Sequence, residues 1–351
     1  MAKVIVGLSG GVDSAVAAYL LQQEGYEVIG VTVRSWESGI SRCCEIDDAQ
    51  ATADLLGIPY RVINCVPDFQ DKIEKPFVSS YLNGETPNPC VLCNPEIKWK
   101  WMLYAASLYG ADMVATGHYA SVVLLPNGRY AVKKGADKQK DQSYMLYRLT
   151  QDQLAKTLFP LGDLTKDQVR AIASQAQIPS AGKPDSQEIC FIPDGSYSRY
   201  IEDHVENKSS FSGSFVDEDG NILGQHSGIF RYTIGQRKGL GLALGSPAYV
   251  TSIRPRTKEV VVGSEESLYT LDVTCRSLNT MALPNLQDQS GLPVTVKIRY
   301  HHEGTPATLT SIGEDQVLLH FDLPVRAATP GQSAVFYDSS GIVIGGGIIT
   351  R

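Results

Sequence analysis

Three groups of residues have types and spacings that can do chemistry. The first is Ser9-Gly10-Gly11-Val12-Asp13-Ser14, between the apolar run 4–8 and a helical pattern at 14–23. A glycine pair between a buried strand and a helix start is a phosphate cradle. The backbone can approach an anion closely, N–H groups converge on it, and the helix dipole favours its charge. Ser9 and Ser14 add hydroxyls, and Asp13 can cap the helix or hold a magnesium ion. No lysine lies between Lys3 and Arg34, so this is not a Walker-type loop. The second group is Cys90-Val91-Leu92-Cys93. Asn94-Pro95 reads as an N-cap with proline at the first helical position. Cys93 would then stand just before a helix N-terminus, where the dipole and Lys98 favour a thiolate. The third is Cys190, preceded by the polar stretch Asp185-Ser186-Gln187-Glu188. Taken alone, Cys-x-x-Cys equally suits half a zinc site or two inert thiols.

The elements that must position these groups alternate. Strands are predicted at 4–8, 27–33, 60–65 and 112–116, and helices at 14–23, 46–56, 69–82 and 95–109, with residues 83–94 as a loop. Such alternation implies a parallel sheet with helices on both faces and ligands at the carboxyl ends of the strands. The glycine loop, Val33 and Gly117-His118 fall there, and Val33 would pass under an adenine. A hairpin follows around Pro126-Asn127-Gly128, then helices at 166–176 and 196–204. Beyond about residue 205 short alternating runs dominate, which points to a small β-rich unit and then a β-barrel or sandwich. The expected division is 1–208 (α/β catalytic domain), 209–271 (small β-rich linking domain) and 272–351 (C-terminal β-barrel).

The 351 residues carry a net charge of −7, a weak argument against nucleic-acid binding. Basic residues are nevertheless clustered at Lys133-Lys134, Lys138, Lys140, Arg237-Lys238, 254–258 and 297–299, and a local basic face is sufficient. No apolar run nears the roughly 20 residues of a membrane span, and the chain opens directly into a strand without a leader. The expectation is a cytoplasmic protein with no membrane partner. Seven cysteines in such a compartment argue against structural disulfides. Cys65 and Cys275 read as core residues, and Cys43-Cys44 as spare thiols.

Six motifs stand in a telling order: G-L-S-G-G-V-D-S (7–14), T-P-N-P-C-V-L-C-N (86–94), A-T-G-H-Y (115–119), K-D-Q-S-Y (140–144), D-S-Q-E-I-C-F-I (185–192) and Y-T-I-G-Q-R-K-G-L-G (232–241). The first resembles the pyrophosphate loop of N-type ATP pyrophosphatases. Together they resemble the bacterial tRNA-specific 2-thiouridylases over nearly the whole chain, most loosely in the barrel.

The resemblance implies ATP-dependent 2-thiolation of the wobble uridine of tRNA. ATP, with Mg²⁺, adenylates the uracil O2, and sulfur then displaces AMP. It assigns Cys93 as nucleophile and Cys190 as persulfide carrier, with a disulfide between them on sulfur delivery. It assigns Gly7, Leu8, Ser9, Gly10, Gly11, Val12, Asp13, Ser14, Val33 and Gly117 to ATP, and Asn88, Pro89 and Cys90 to the target base. His118, Lys140, Asp141, Gln142, Arg299, Tyr300 and Gln332 fall to the tRNA anticodon arm. A sulfur-donor protein or cysteine desulfurase relay is the implied further partner. One departure stands out: many members carry aspartate, a candidate general acid or base, where this chain has Cys90. The alternative is a 4Fe-4S cluster on Cys90, Cys93 and Cys190, with one iron open to sulfide. An amide-forming synthetase would need a glutaminase pattern that is lacking and would not need Cys93 or Cys190. An RNA-binding module with a vestigial nucleotide site would not release AMP and pyrophosphate.

Overall fold

The structure is a computed structural model and describes residues 1–36, 46–183, 189–192, 195–205, 211–287 and 289–350. Cys43, Cys44 and 185–188 lie outside the described residues.

Buried β-branched runs build the first sheet. Strands β1 (Lys3–Gly7), β2 (Glu27–Arg34), β3 (Tyr60–Asn64) and β4 (Met113–Ala115) are joined by crossover helices. The two-stranded hairpin β5 (Ala120–Leu124) and β6 (Tyr130–Lys134) intervenes before the short strand β7 (Thr157–Leu158). The sheet order is β3-β2-β1-β4-β7, parallel throughout. Val4, Ile5 and Val6 have no exposed surface, as expected of a strand covered on both faces. The chain leaves β1 toward β2 on one side and returns from β3 to β4 on the other. The switch point therefore lies between β1 and β4, and a crevice opens at their carboxyl ends.

The cysteine segment departs from the sequence expectation. The helix does not begin at Pro95. Asn88 is the N-cap, its side chain accepting from Cys90 N at 3.2 Å, and Pro89 takes the first helical position. Helix then runs unbroken through 89–109. Proline inside it has no N–H to donate and crowds the preceding turn. The wider π turns at Asn94–Trp99 accommodate Pro95. Cys93 thus lies within the helix, and Cys90 occupies the first turn where the dipole acts. A π turn also interrupts the 66–82 helical segment, at Gln70–Glu74.

The second sheet has the order β10-β11-β8-β9, from β8 (Gly213–Val216), β9 (Ile222–His226), β10 (Tyr249–Arg254) and β11 (Glu259–Gly263). The last six strands close a barrel: β12 (Tyr269–Thr280), β13 (Ser290–Lys297), β14 (Thr305–Gly313), β15 (Gln316–Arg326), β16 (Ser333–Tyr337) and β17 (Val343–Ile349). Strand β12 opens just ahead of the division expected at 271/272.

The barrel is welded to the first domain. One hydrophobic core includes Ile5, Trp99, Tyr144 and Tyr147 from the parallel-sheet domain and Met281, Val335, Tyr337 and Val343 from the barrel region. Tyr144 Oη donates to the Ser333 carbonyl at 2.9 Å, and Arg129 donates to the carbonyls of Met281 and Thr280. Among the described residues no helix is long and apolar enough to cross a membrane.

Candidate active site

The glycine loop is closed on itself. Gly10 sits at φ 81°, where a side chain is disfavoured. Ser9 N donates to Ser14 Oγ at 3.2 Å, the Ser14 hydroxyl donates to the Gly11 carbonyl at 3.0 Å, and Gly11 N approaches Ser9 Oγ at 3.4 Å. The hydroxyls thus shape the loop at the start of the helix Val12–Gln23. Leu8 is anchored to β2 through its N–H on the Val31 carbonyl, 2.9 Å, and its own carbonyl accepts from Thr32 Oγ1 at 2.7 Å. Gly117, arriving from β4, packs on this loop. A Cβ there would lie 2.5 Å from the Asp13 carbonyl carbon.

Asp13 does not cap the helix. Its carboxylate is held by Lys166 Nζ at 2.7 and 2.8 Å and by the Tyr119 hydroxyl at 2.7 Å. A magnesium ion would have to compete with that ammonium. Sequence reasoning missed Lys166, although Thr165-Lys166-Asp167-Gln168 carries a readable signal. Thr165 and Gln168 form a capping box, which fixes Lys166 at the first helical position.

Val33, at the end of β2, packs both on the large core and on a second cluster containing Cys93, Phe69, Phe77 and Phe191. Cys190 packs on that same cluster. The structure therefore gathers Val33, Cys93 and Cys190 around one aromatic core. Cys93 is buried, and Cys90 and Cys190 are half-buried. Among the described residues no three His, Cys, Asp or Glu side chains are placed to hold a metal ion. Cys90, Cys93 and Cys190, the alternative ligand set for a 4Fe-4S cluster, do not form such a group. Cys65 and Cys275 are core residues, and burial drives the Cys275 thiol pKa strongly upward.

Asn88 and Pro89 share a cleft with Gly331, Ser333 and Ile348 of the barrel region. Gln332 Nε2 donates to the Thr86 carbonyl at 2.8 Å, and Thr86 N donates to the Pro330 carbonyl at 2.8 Å. Burial, then the charges of Asp141 and Cys90, raises the Tyr300 pKa. Tyr300 packs on Tyr144 at 6.1 Å. Asp141 is buried: Oδ1 accepts from Gly135 N and Ser143 N, and Oδ2 from the Ser143 hydroxyl. Burial lowers the pKa of Lys297, which Asp141 opposes. Gln142 Oε1 accepts from Tyr119 N at 3.0 Å. Lys140 N donates to Asp137 Oδ1 at 3.2 Å. Asp141, Gln142 and Gln332 are therefore built into the scaffold, whereas Arg299 is exposed.

His118 stands at the crevice, its Nδ1 2.6 Å from Thr116 Oγ1 and its ring against Trp99 and Phe159. Burial and then the Lys98 charge hold its pKa down to about 3, so the imidazole is neutral near pH 7. A cleft of about 220 Å³ borders Phe77, Asn88, Pro89, Arg148 and Ser333. A larger groove of about 730 Å³, beside Arg256 and Arg276, contains none of the candidate catalytic residues.

Three family descriptions match the chain in order: a tRNA methyl transferase HUP domain over 2–194, a tRNA methyl transferase PRC-barrel domain over 198–264, and an aminomethyltransferase beta-barrel domain over 274–349. The tRNA-specific 2-thiouridylase MnmA of Lachnoclostridium phytofermentans is 50% identical, with 100% of each chain covered. That of Clostridioides difficile is 45% identical over 99% of this chain and 98% of its own. A solved 4-thiouridine synthetase–RNA complex with bound ATP aligns over 58% of this chain and 50% of that chain, at 17% identity and a TM-score of 0.37, too low to carry any argument.

Proposed function

The chain belongs to the tRNA-specific 2-thiouridylase family, and from that premise we propose that it thiolates C2 of the wobble uridine through an O2-adenylated intermediate and a Cys190 persulfide. The methyl transferase wording of the domain descriptions yields to relatives matched along their whole length. The enzyme is a tRNA-uridine sulfurtransferase that uses ATP.

The glycine loop binds the β,γ-pyrophosphate of ATP at the helix N-terminus. Mg²⁺ accompanies the nucleotide and shields its phosphate charge. A stacked uracil offers no path to C2, so the base is flipped toward Asn88-Pro89-Cys90. Its O2 attacks the α-phosphorus and pyrophosphate leaves. The outer sulfur of the Cys190 persulfide then attacks C2, and AMP departs with the C–O electron pair. Cys93 thiolate attacks the Cys190 sulfur, freeing 2-thiouridine and leaving a Cys93–Cys190 disulfide. A cellular dithiol reduces that disulfide before the next turnover. The tRNA side is served by His118, Lys140, Arg299 and Tyr300, with Asp141, Gln142 and Gln332 fixing the surfaces they stand on.

The observation that carries this reading is the shared core. Val33, at the end of β2 where the proposed nucleotide crevice opens, also packs on the cluster that contains Cys93 and against which Cys190 packs. That shared packing supports a reading in which the sulfur and nucleotide steps are neighbours. The test is release of AMP and pyrophosphate by the purified chain with unmodified tRNA and a persulfide donor. Release that is independent of tRNA, or coupled to amide formation, would sink the reading.

A further inference from the structure

Behind Cys190 lies a buried polar group that no step above uses. Glu74 ends the π turn Gln70–Glu74 and is 9% exposed. Its Oε1 lies 2.8 Å from His204 Nε2. Its Oε2 is buried and, among the described residues, has no hydrogen-bond partner. The Tyr200 hydroxyl is buried too, close to Glu74 but without a well-formed hydrogen bond. The Tyr200 carbonyl lies 2.7 Å from His204 Nδ1, and the two rings pack at 4.3 Å. Unpaired buried oxygens are costly and call for a reason.

Position supplies one. Burial first, then Glu74, then Cys190, raises the Tyr200 pKa. Carboxylate and thiol are therefore both within electrostatic reach of one hydroxyl. Tyr200 also packs against the thiol-bearing cluster, 5.3 Å from Phe191, the residue after Cys190. The other charges around this group are engaged elsewhere or face solvent. Lys72 pairs with Glu96, Lys75 with Asp71 and Arg231 with Glu202, while Arg199 and Asp203 are exposed.

We infer that Tyr200 and Glu74 form a proton relay for Cys190, with His204 positioning the carboxylate. The inference rests on the persulfide reading. The Cys190 thiol gives its proton to the Tyr200 oxygen as the hydroxyl proton passes to Glu74. The thiolate attacks the outer sulfur of a donor persulfide R–S–SH. The donor S–S bond breaks, a new S–S bond forms at Cys190, and the electron pair leaves on R–S⁻. That thiolate recovers the proton from Glu74. The exchange transfers one sulfur and needs no oxidant or reductant.

The experiment loads full-length protein with a low-molecular-weight persulfide. Sulfur added at Cys190 is followed by intact mass after alkylation, from acid to alkaline pH. Tyr200→Phe and Glu74→Gln are each expected to slow loading at neutral pH on the order of 100-fold, the usual contribution of a positioned proton acceptor. Both should approach the wild-type rate at alkaline pH, where the thiol ionises unaided. Tyr81→Phe, a hydroxyl removed from the same aromatic cluster, should load normally at every pH. Normal rates in Tyr200→Phe and Glu74→Gln would overturn the relay alone, as would slowing equal at all pH values. No loading of Cys190 in the wild-type chain would overturn the persulfide reading and the relay with it.

Discussion

Gly117→Ala isolates the contact between the strand β4 exit and the phosphate loop. The added methyl carbon would stand 2.5 Å from the Asp13 carbonyl carbon, 2.6 Å from its oxygen and 2.7 Å from Ser14 N. Non-bonded carbons settle at about 3.5–4.0 Å, so one partner must retreat by about 1 Å. All three atoms are backbone, and no side chain can rotate away to absorb the clash. Overpacking of this kind costs about 1–3 kcal/mol of stability. A displacement of about 1 Å in a binding loop costs on the order of 100-fold in rate. The assay is kcat/KM for ATP by pyrophosphate release at saturating tRNA, alongside thermal unfolding. Gly182→Ala is the control, because its added Cβ meets nothing within 4 Å among the described residues. Wild-type kcat/KM in Gly117→Ala would refute the packing argument, and an equal loss in both variants would show the effect to be unspecific.

Further perturbations follow from the same contacts. Lys166→Met strips Asp13 of a partner that is 10% exposed while Asp13 itself is 32% exposed. Breaking a fully buried pair costs about 3–5 kcal/mol; the solvent access of Asp13 lowers the expected loss to about 1–3 kcal/mol, read by denaturant unfolding and partly recovered by Asp13→Asn in the same chain. Gln332→Ala removes the 2.8 Å tie to Thr86, worth about 1 kcal/mol, and a roughly fivefold loss of kcat/KM for tRNA with little change in the KM for ATP is expected. His118 is depressed from 6.5 to about 3, so between those values the unfolded chain binds the extra proton and stability rises with pH. It is complete above about 6.5 and is lost as pH falls toward about 3. Thermal unfolding of His118→Gln across this window should show a shallower acid limb than wild type; an identical limb would refute the assignment.

The parts of the molecule written in local pattern were legible before the structure. The run 46–56, with acidic residues first and Gly57 after, forms the helix Ile46–Leu56. The cysteine segment was misread because Asn88-Pro89 and Asn94-Pro95 carry the same start signal. Only the packing around Pro95 and its π turns decides between them. Strand β12 keeps a period-2 alternation, with Tyr269, Leu271, Val273 and Cys275 against Thr270, Asp272, Thr274 and Arg276, so the division expected at 271/272 cut through a strand whose pattern the sequence carries. The Asp13–Lys166 pair spans 153 positions and the Gln332–Thr86 bond spans 246; no window of sequence contains either. Glu74 carries no local mark of its burial, which tertiary packing alone produces. The tRNA assignments by resemblance mixed two kinds of residue, exposed Arg299 and the inward-facing scaffold groups Asp141 and Gln332, which share no local mark.

The central claim is that two thiols of one buried cluster deliver sulfur to an ATP-activated uracil. The most direct measurement is the yield of 2-thiouridine by nucleoside mass spectrometry, anaerobically and in iron-free protein, with ATP, Mg²⁺, unmodified tRNA and a persulfide donor. Wild type should form 2-thiouridine, and Cys93→Ala and Cys190→Ala should each form none. Product from either variant, or product from wild type only after iron is restored, would contradict the claim.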